Sequence, residues 1–141
     1  MKRQLITLFL TLGSVCTFGT KLQAQSYRIG STVPFAFHVG NTSLESGRYQ
    51  FSRQGMENFD MLRNAETGSS LILGAGPAQL SARGPARLVF HKYGDQYFLR
   101  EVWNGLGTGK SLPESKLEKE VRSEQTGLQM TSTTIYLASL R

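Results

Sequence analysis

From about residue 31 onward, apolar side chains recur at every second position in short runs, and glycine-bearing turns separate the runs. A period of two sends alternate side chains to opposite faces of a strand. Each run then buries one face and needs a second sheet to bury it against. STVPFAFHV places Val33, Phe35, Phe37 and Val39 on one face, with Ala36 and His38 on the other. RYQFSR, Arg48 to Arg53, keeps Tyr49 and Phe51 in phase, FDMLR, Phe59 to Arg63, alternates again, and SLILG is a short apolar strand around Leu71 to Leu73. GNTSLESG and AETG between them are rich in turn formers.

The stretch Gly74 to Ala86 breaks the rhythm with two Gly-Pro steps and small residues. It reads as a long surface connection with room for a short strand around Gln79 to Ala82. Its GAG is no nucleotide fingerprint, because no helix pattern follows it. LVFHKYGDQYFLREVW, Leu88 to Trp103, then reads as a hairpin about a Gly94-Asp95 turn. That turn pairs Tyr93 with Gln96, His91 with Phe98 and Phe90 with Leu99. Leu88, Phe90, Tyr97, Leu99 and Trp103 fall on the core face. Val89, His91, Tyr93, Phe98, Arg100 and Val102 fall on the other.

NGLGTGKS is a flexible turn. Ser111 to Gln125 is the one clear helix, with Ser111 and Glu114 as a capping box and Pro113 in the first turn. Leu117 and Val121 give it a narrow apolar stripe, so it should lie against the outside of a sheet. QMTSTTIYLASL is a last strand, rich in β-branched residues. The expected fold is mainly β: an antiparallel sandwich or small barrel of about 7–8 strands with one helix before the last strand.

The first 24 residues stand apart from this pattern. Lys2 and Arg3 precede an uncharged apolar run, Leu5 to Gly19, and Ala24 is a suitable residue before a cut. These are the parts of a secretory signal peptide, and they leave 25–141 as a single β-rich domain in the periplasm or the medium. The apolar run is shorter than the ~20 residues of a membrane span, so no span is expected after cleavage. Cys16 leaves with the signal, and Val15 before it argues against a lipoprotein cut. The mature fold thus rests on its hydrophobic core without a disulfide. The net charge of +6 falls to +3 once Lys2, Arg3 and Lys21 leave. The remaining basic residues are scattered along the chain, and nucleic-acid binding, which needs a concentrated basic footprint, is excluded on that ground.

Reactive constellations are scarce. No catalytic residue, metal site or cofactor is assigned, since the chain has no His-x-His, no His-Glu-x-x-His and no Gly-x-Ser-x-Gly. His91, Tyr93, Arg100, Glu101 and Trp103 of the hairpin are the candidate ligand-binding residues. Glu101 is notable as a charge on the expected apolar face, at its rim or paired with a buried arginine. A second set, His38, His91, Asp95 and Glu101, is the one from which a small hydrolase or metal-dependent enzyme would be built if those side chains met. The aromatics Tyr49, Tyr93, Tyr97, Trp103 and Tyr136 offer either packing or a concave ligand surface.

VPFAFHVGNTSLESGRY, LVFHKYGDQYFLREVW and LPESKLEKE carry a resemblance over most of the mature domain. There the chain resembles an uncharacterised family of small exported β-rich proteins of Gram-negative bacteria. The resemblance implies secretion and a shared fold and brings no catalytic residue with it. The expectation is an exported non-enzymatic β-domain of the cell envelope, a binding or structural module for an envelope partner or small ligand. Beside it stand the enzyme reading above and a lipocalin-like carrier, whose inward phenylalanines would leave an apolar void.

Overall fold

A computed structural model describes residues 28–54, 59–74, 78–80, 83–124 and 129–139. The expected signal peptide lies outside the described residues. The architecture is two packed β-sheets with one helix on the outside of the second. In chain order the strands are β1 (Arg28–Val33), β2 (Phe37–Val39), β3 (Thr42–Leu44), β4 (Gly47–Gln54), β5 (Phe59–Asn64), β6 (Ser70–Leu73), β7 (Ala78–Leu80), β8 (Arg87–Tyr93), β9 (Gln96–Trp103) and β10 (Thr108–Ser111). Helix α1 (Lys116–Glu124) follows, then β11 (Thr131–Tyr136) and β12 (Ala138–Ser139).

One sheet has the order β12-β1-β4-β5-β6, the other β11-β8-β9-β10-β7, with β2 and β3 joined to β9 beside β10. All pairs are antiparallel except β2 with β9, which meet in parallel at His38 and Phe98. The sheets do not close into a barrel; β6 is a free edge of the first and β3 and β7 of the second. The sandwich reading of the sequence is therefore the observed one.

Two crossings stitch one side of the sandwich. The run expected as a single strand, Ser31 to Val39, divides at Pro34: β1 belongs to the first sheet and β2 to the second. Proline has no N–H to give a ladder, so the chain leaves one sheet there. The alternation survives the crossing, because Val33 and Phe37 both end in the interior. The last strand divides in the same way. β11 pairs with β8, Leu137 N donates to Ala86 O, and β12 pairs with β1.

The core lies between the sheets. Ile29, Val33, Phe37, Tyr49, Phe51, Leu62, Leu73, Leu88, Phe90, Leu99 and Val102 are buried there. Phe37 meets Tyr49 and Phe90 edge-on at 5.1 and 5.3 Å, and Phe35 lies flat on Tyr97 at 3.8 Å. The inward phenylalanines thus pack against one another and against Tyr49 and Tyr97. An ion pair crosses the interior: Lys110 Nζ of β10 lies 3.3 Å from Asp60 Oδ2 of β5.

Three further expectations change. GNTSLESG contains a strand, β3, which folds back on β2 about Gly40-Asn41, where Gly40 takes the left-handed φ of 63°. NGLGTGKS is also a hairpin: Asn104 Oδ1 accepts from the N–H groups of Leu106 and Thr108, and β10 then pairs with β9. The helix begins later than expected. Ser111 is in β10 opposite Glu101, and Leu112 is buried in the core. The chain holds a second Ser-x-x-Glu frame at Ser115 and Glu118, and it is Ser115 Oγ that accepts from Glu118 N, at 3.1 Å. The residue before a proline avoids helical geometry, so Leu112 stays extended and the first frame is spent.

Candidate functional site

The hairpin of β8 and β9 turns at Gly94-Asp95 and has the expected pairs: Tyr93 with Gln96, His91 with Phe98, Phe90 with Leu99. Gly94 adopts φ 56°, as a primed turn demands. Beyond Leu99 the sequence-based faces fail. Val89 pairs with Glu101 while Phe90 pairs with Leu99, so Arg100 is the extra residue of a β-bulge. The bulge reverses the phase of the strand's end. Val102 enters the core, and Glu101 and Trp103 turn outward. Glu101 therefore does not lie on the apolar face, and among the described residues no ion pair joins it to an arginine. Its Oε2 accepts from Trp103 Nε1 at 2.7 Å. The Trp103 ring lies over Gly109, and the Arg87 guanidinium sits 4.6 Å from the ring centroid.

The five expected ligand-binding residues thus fall into two groups. Glu101 and Trp103 satisfy each other. His91, Tyr93 and Arg100 converge on a residue that the sequence reading passed over, Glu118 of α1. Its side chain is 2% exposed. Arg100 Nη1 stands 3.0 Å from Oε2, His91 Nδ1 3.6 Å from Oε1, and the Tyr93 hydroxyl donates to Oε1 at 3.4 Å. Burial, then the negative charge of Glu118, pushes the Tyr93 phenol above its ordinary 10.0. Leu117 and Val121 pack beside this cluster on Tyr93 and Phe98, as the apolar stripe implied. Glu118 stands three residues before Val121, on the same side of the helix. That spacing was the available signal.

The enzyme set does not assemble. His38 and His91 flank Phe98 from opposite neighbouring strands: the His38 ring stacks on Phe98 at 4.9 Å, and His91 pairs across from it. Burial holds the His38 imidazole below its ordinary 6.5. Asp95 is at the exposed turn, and Glu101 is held by Trp103. Among the described residues no three His, Cys, Asp or Glu side chains gather as metal ligands. The aromatics disperse as well: Tyr49 is in the core, Tyr97 is stacked on Phe35, and Tyr136 is exposed on β11.

A cavity lies elsewhere, at the unstitched side of the sandwich. It is a groove of about 350 Å³ between β3 and the β5–β6 hairpin. Leu44, Tyr49, Leu62 and Leu71 form its apolar floor, and Thr42, Ser43, Thr67, Ser69 and Ser70 contribute to its rim. Its walls are held firmly. The Tyr49 hydroxyl donates to Glu45 O at 2.7 Å, and Asn64 Oδ1 accepts from the N–H groups of Glu66 and Thr67. No segment of the sequence marks this groove, because GNTSLESG, which holds β3, has the composition of a loop. Among the described residues no helix is long and apolar enough to cross a membrane. No protein-family model, curated protein or solved structure matches the chain.

Proposed function

We propose that this chain is an exported β-sandwich binding module of the Gram-negative cell envelope, without catalytic activity of its own. The observation that carries the reading is the groove between the β3 and β6 edges. An apolar floor under a hydroxyl rim suits retention of a small amphipathic ligand. Support also comes from the fate of the ionisable groups of the hairpin. The Glu118 carboxylate is spent on Arg100, His91 and Tyr93, and that of Glu101 on Trp103. The Glu118 contacts join the helix to β8 and β9, the Glu101 contact ties two residues of β9 together, and none of these residues lines the groove.

The test has two parts. In a Gram-negative host the chain should be recovered from the periplasm or the medium, with Gln25 at or near its new N-terminus; retention in the cytoplasm at full length refutes export. The recovered protein should bind a fluorescent fatty-acid analogue saturably. Ser69→Trp, an exposed position on the groove wall, should cut that affinity at least tenfold and leave the unfolding midpoint in place. Equal affinity in the variant, or no saturable binding by the wild type, overturns the groove as the site.

A further inference from the structure

The outer face of the first sheet gathers arginines that are far apart in sequence. The register sets Arg28 opposite Ser52, and Ser52 opposite Met61. One step along, Gln50 stands opposite Arg63, and the next step sets Thr32 opposite Arg48. The intervening residues Ile29, Tyr49, Phe51 and Leu62 are buried in the core. Alternation therefore turns Arg28, Arg48, Gln50, Ser52, Met61 and Arg63 the other way. All three arginines are exposed, and among the described residues none makes an ion pair. No described carboxylate shares their face, since Asp60 of β5 points inward to Lys110.

Over the middle strand of this face is a depression of about 40 Å³, bounded by Arg28, Gln50, Ser52, Met61 and Arg63. So small a depression suits the oxygens of one small group and not a whole organic ligand. Ser52 is 6% exposed at its base. The two guanidiniums flank it from β1 and β5, on either side of β4. A guanidinium offers paired donors that match an oxyanion, and Gln50 and Ser52 add an amide and a hydroxyl.

We infer that this depression is a binding site for a phosphate monoester group. One arginine fork satisfies a planar carboxylate. Donors arriving from opposite sides of a strand suit a tetrahedral oxyanion instead, and Arg48 nearby adds charge against a second negative charge. The open top leaves the esterified remainder in solvent, so the site reads the group and not the molecule that bears it. Two sources fit, a soluble phosphate compound or a phosphorylated lipid headgroup. The site stands apart from the apolar groove, whose Tyr49 and Leu62 lie on the opposite face of the same strands. It holds whether or not the groove binds a ligand.

The test uses the full chain as its host processes it, at constant ionic strength. Inorganic phosphate is titrated by calorimetry, and flotation is measured with phosphatidylcholine vesicles with and without phosphatidic acid. Saturable phosphate binding, weakened at least tenfold by Arg28→Gln and by Arg63→Gln and unchanged by Lys119→Gln on α1, supports the site. Flotation that requires phosphatidic acid, is lost in Arg63→Gln and is competed by free phosphate supports it with the headgroup as source. Saturable phosphate binding without flotation supports it with a soluble source. Absence of both, or equal weakening by Lys119→Gln, overturns it. Unfolding midpoints of the variants, all at exposed positions, show that the fold is intact.

Discussion

The two sheets of the sandwich treat charge on their outer faces in opposite ways. On the second sheet the helix covers Arg100 and His91, and its Glu118 is enclosed by them and Tyr93. On the first sheet three arginines stand uncovered without described carboxylates among them. A desolvated charge is expensive unless paired, so the second face has its partners built in. A solvated guanidinium costs little to leave unpaired, so the first face keeps its binding capacity for something outside the chain. The difference separates charge that holds the fold from charge available for recognition.

The sharpest way to break this comparison is to remove the buried carboxylate. Glu118→Gln leaves Arg100, 19% exposed, without its anion under the helix. The expected loss is about 3 kcal/mol, the range for removing one partner of a buried pair. Urea unfolding of the variant measures it, and a loss below about 0.5 kcal/mol, the level of surface changes, would mean the second face is no more committed than the first. The pair Arg100→Met with Glu118→Leu should recover much of the loss, since it removes both charges and keeps the packing.

Gly109→Ala tests how closely the same face is packed. An added Cβ would stand 2.5 Å from the Trp103 ring, which has Arg87 against it and Glu101 on its nitrogen. The ring is held on several sides and must move. Overpacking of this kind costs about 2 kcal/mol. A thermal melt should show it together with a changed tryptophan emission, and Trp103 is the sole tryptophan of the chain.

Much of the second face was legible in the sequence. Gly94-Asp95 between two alternating runs fixed the turn and thereby three cross-strand pairs. The bulge at Arg100 has no residue signature, because no glycine or proline marks it, and it reversed the environments of Val102 and Trp103. The glycines around β10 hid a strand that is short and held by Asn104. Glu118 was obscured by a helix rich in charge, although its spacing from Val121 pointed inward. The first face was not legible at all. Arg28, Arg48 and Arg63 look scattered along the chain, and only the register of β1, β4 and β5 brings them to one surface. The groove depends equally on non-local placement, since β3 and β6 meet across the sandwich and not along the sequence.

A smaller effect comes from His38, at the margin of the covered face. Its neutral imidazole is the form that the fold keeps, because burial holds its pKa below 6.5. The unfolded chain therefore takes up the proton first as pH falls. Stability should decline as pH drops from above 6.5 through the folded-state value and level off below it. Denaturant midpoints across that range, compared between wild type and His38→Gln, isolate this contribution. Parallel curves for the two proteins would show that stacking on Phe98 leaves His38 as free to ionise as in the unfolded chain.

The smallest expected effect is the most telling for the bare face. Arg63→Gln removes a charge that has no described ion-pair partner and sits near two like charges, so stability should change by no more than about 0.5 kcal/mol. Any change should favour the variant at low salt, because mutual repulsion between exposed guanidiniums is relieved, and it should vanish as salt screens them. Chemical denaturation at about 10 mM and 1 M ionic strength separates the outcomes, since the screening length falls from about 30 to 3 Å between them. A clear destabilisation that persists at high salt would mean that Arg63 has structural work within the fold. The contrast between the two faces would then fail on the side where it is simplest. A neutral or salt-sensitive gain leaves the arginine face as charge that folding does not require, which is the condition for assigning it to a ligand.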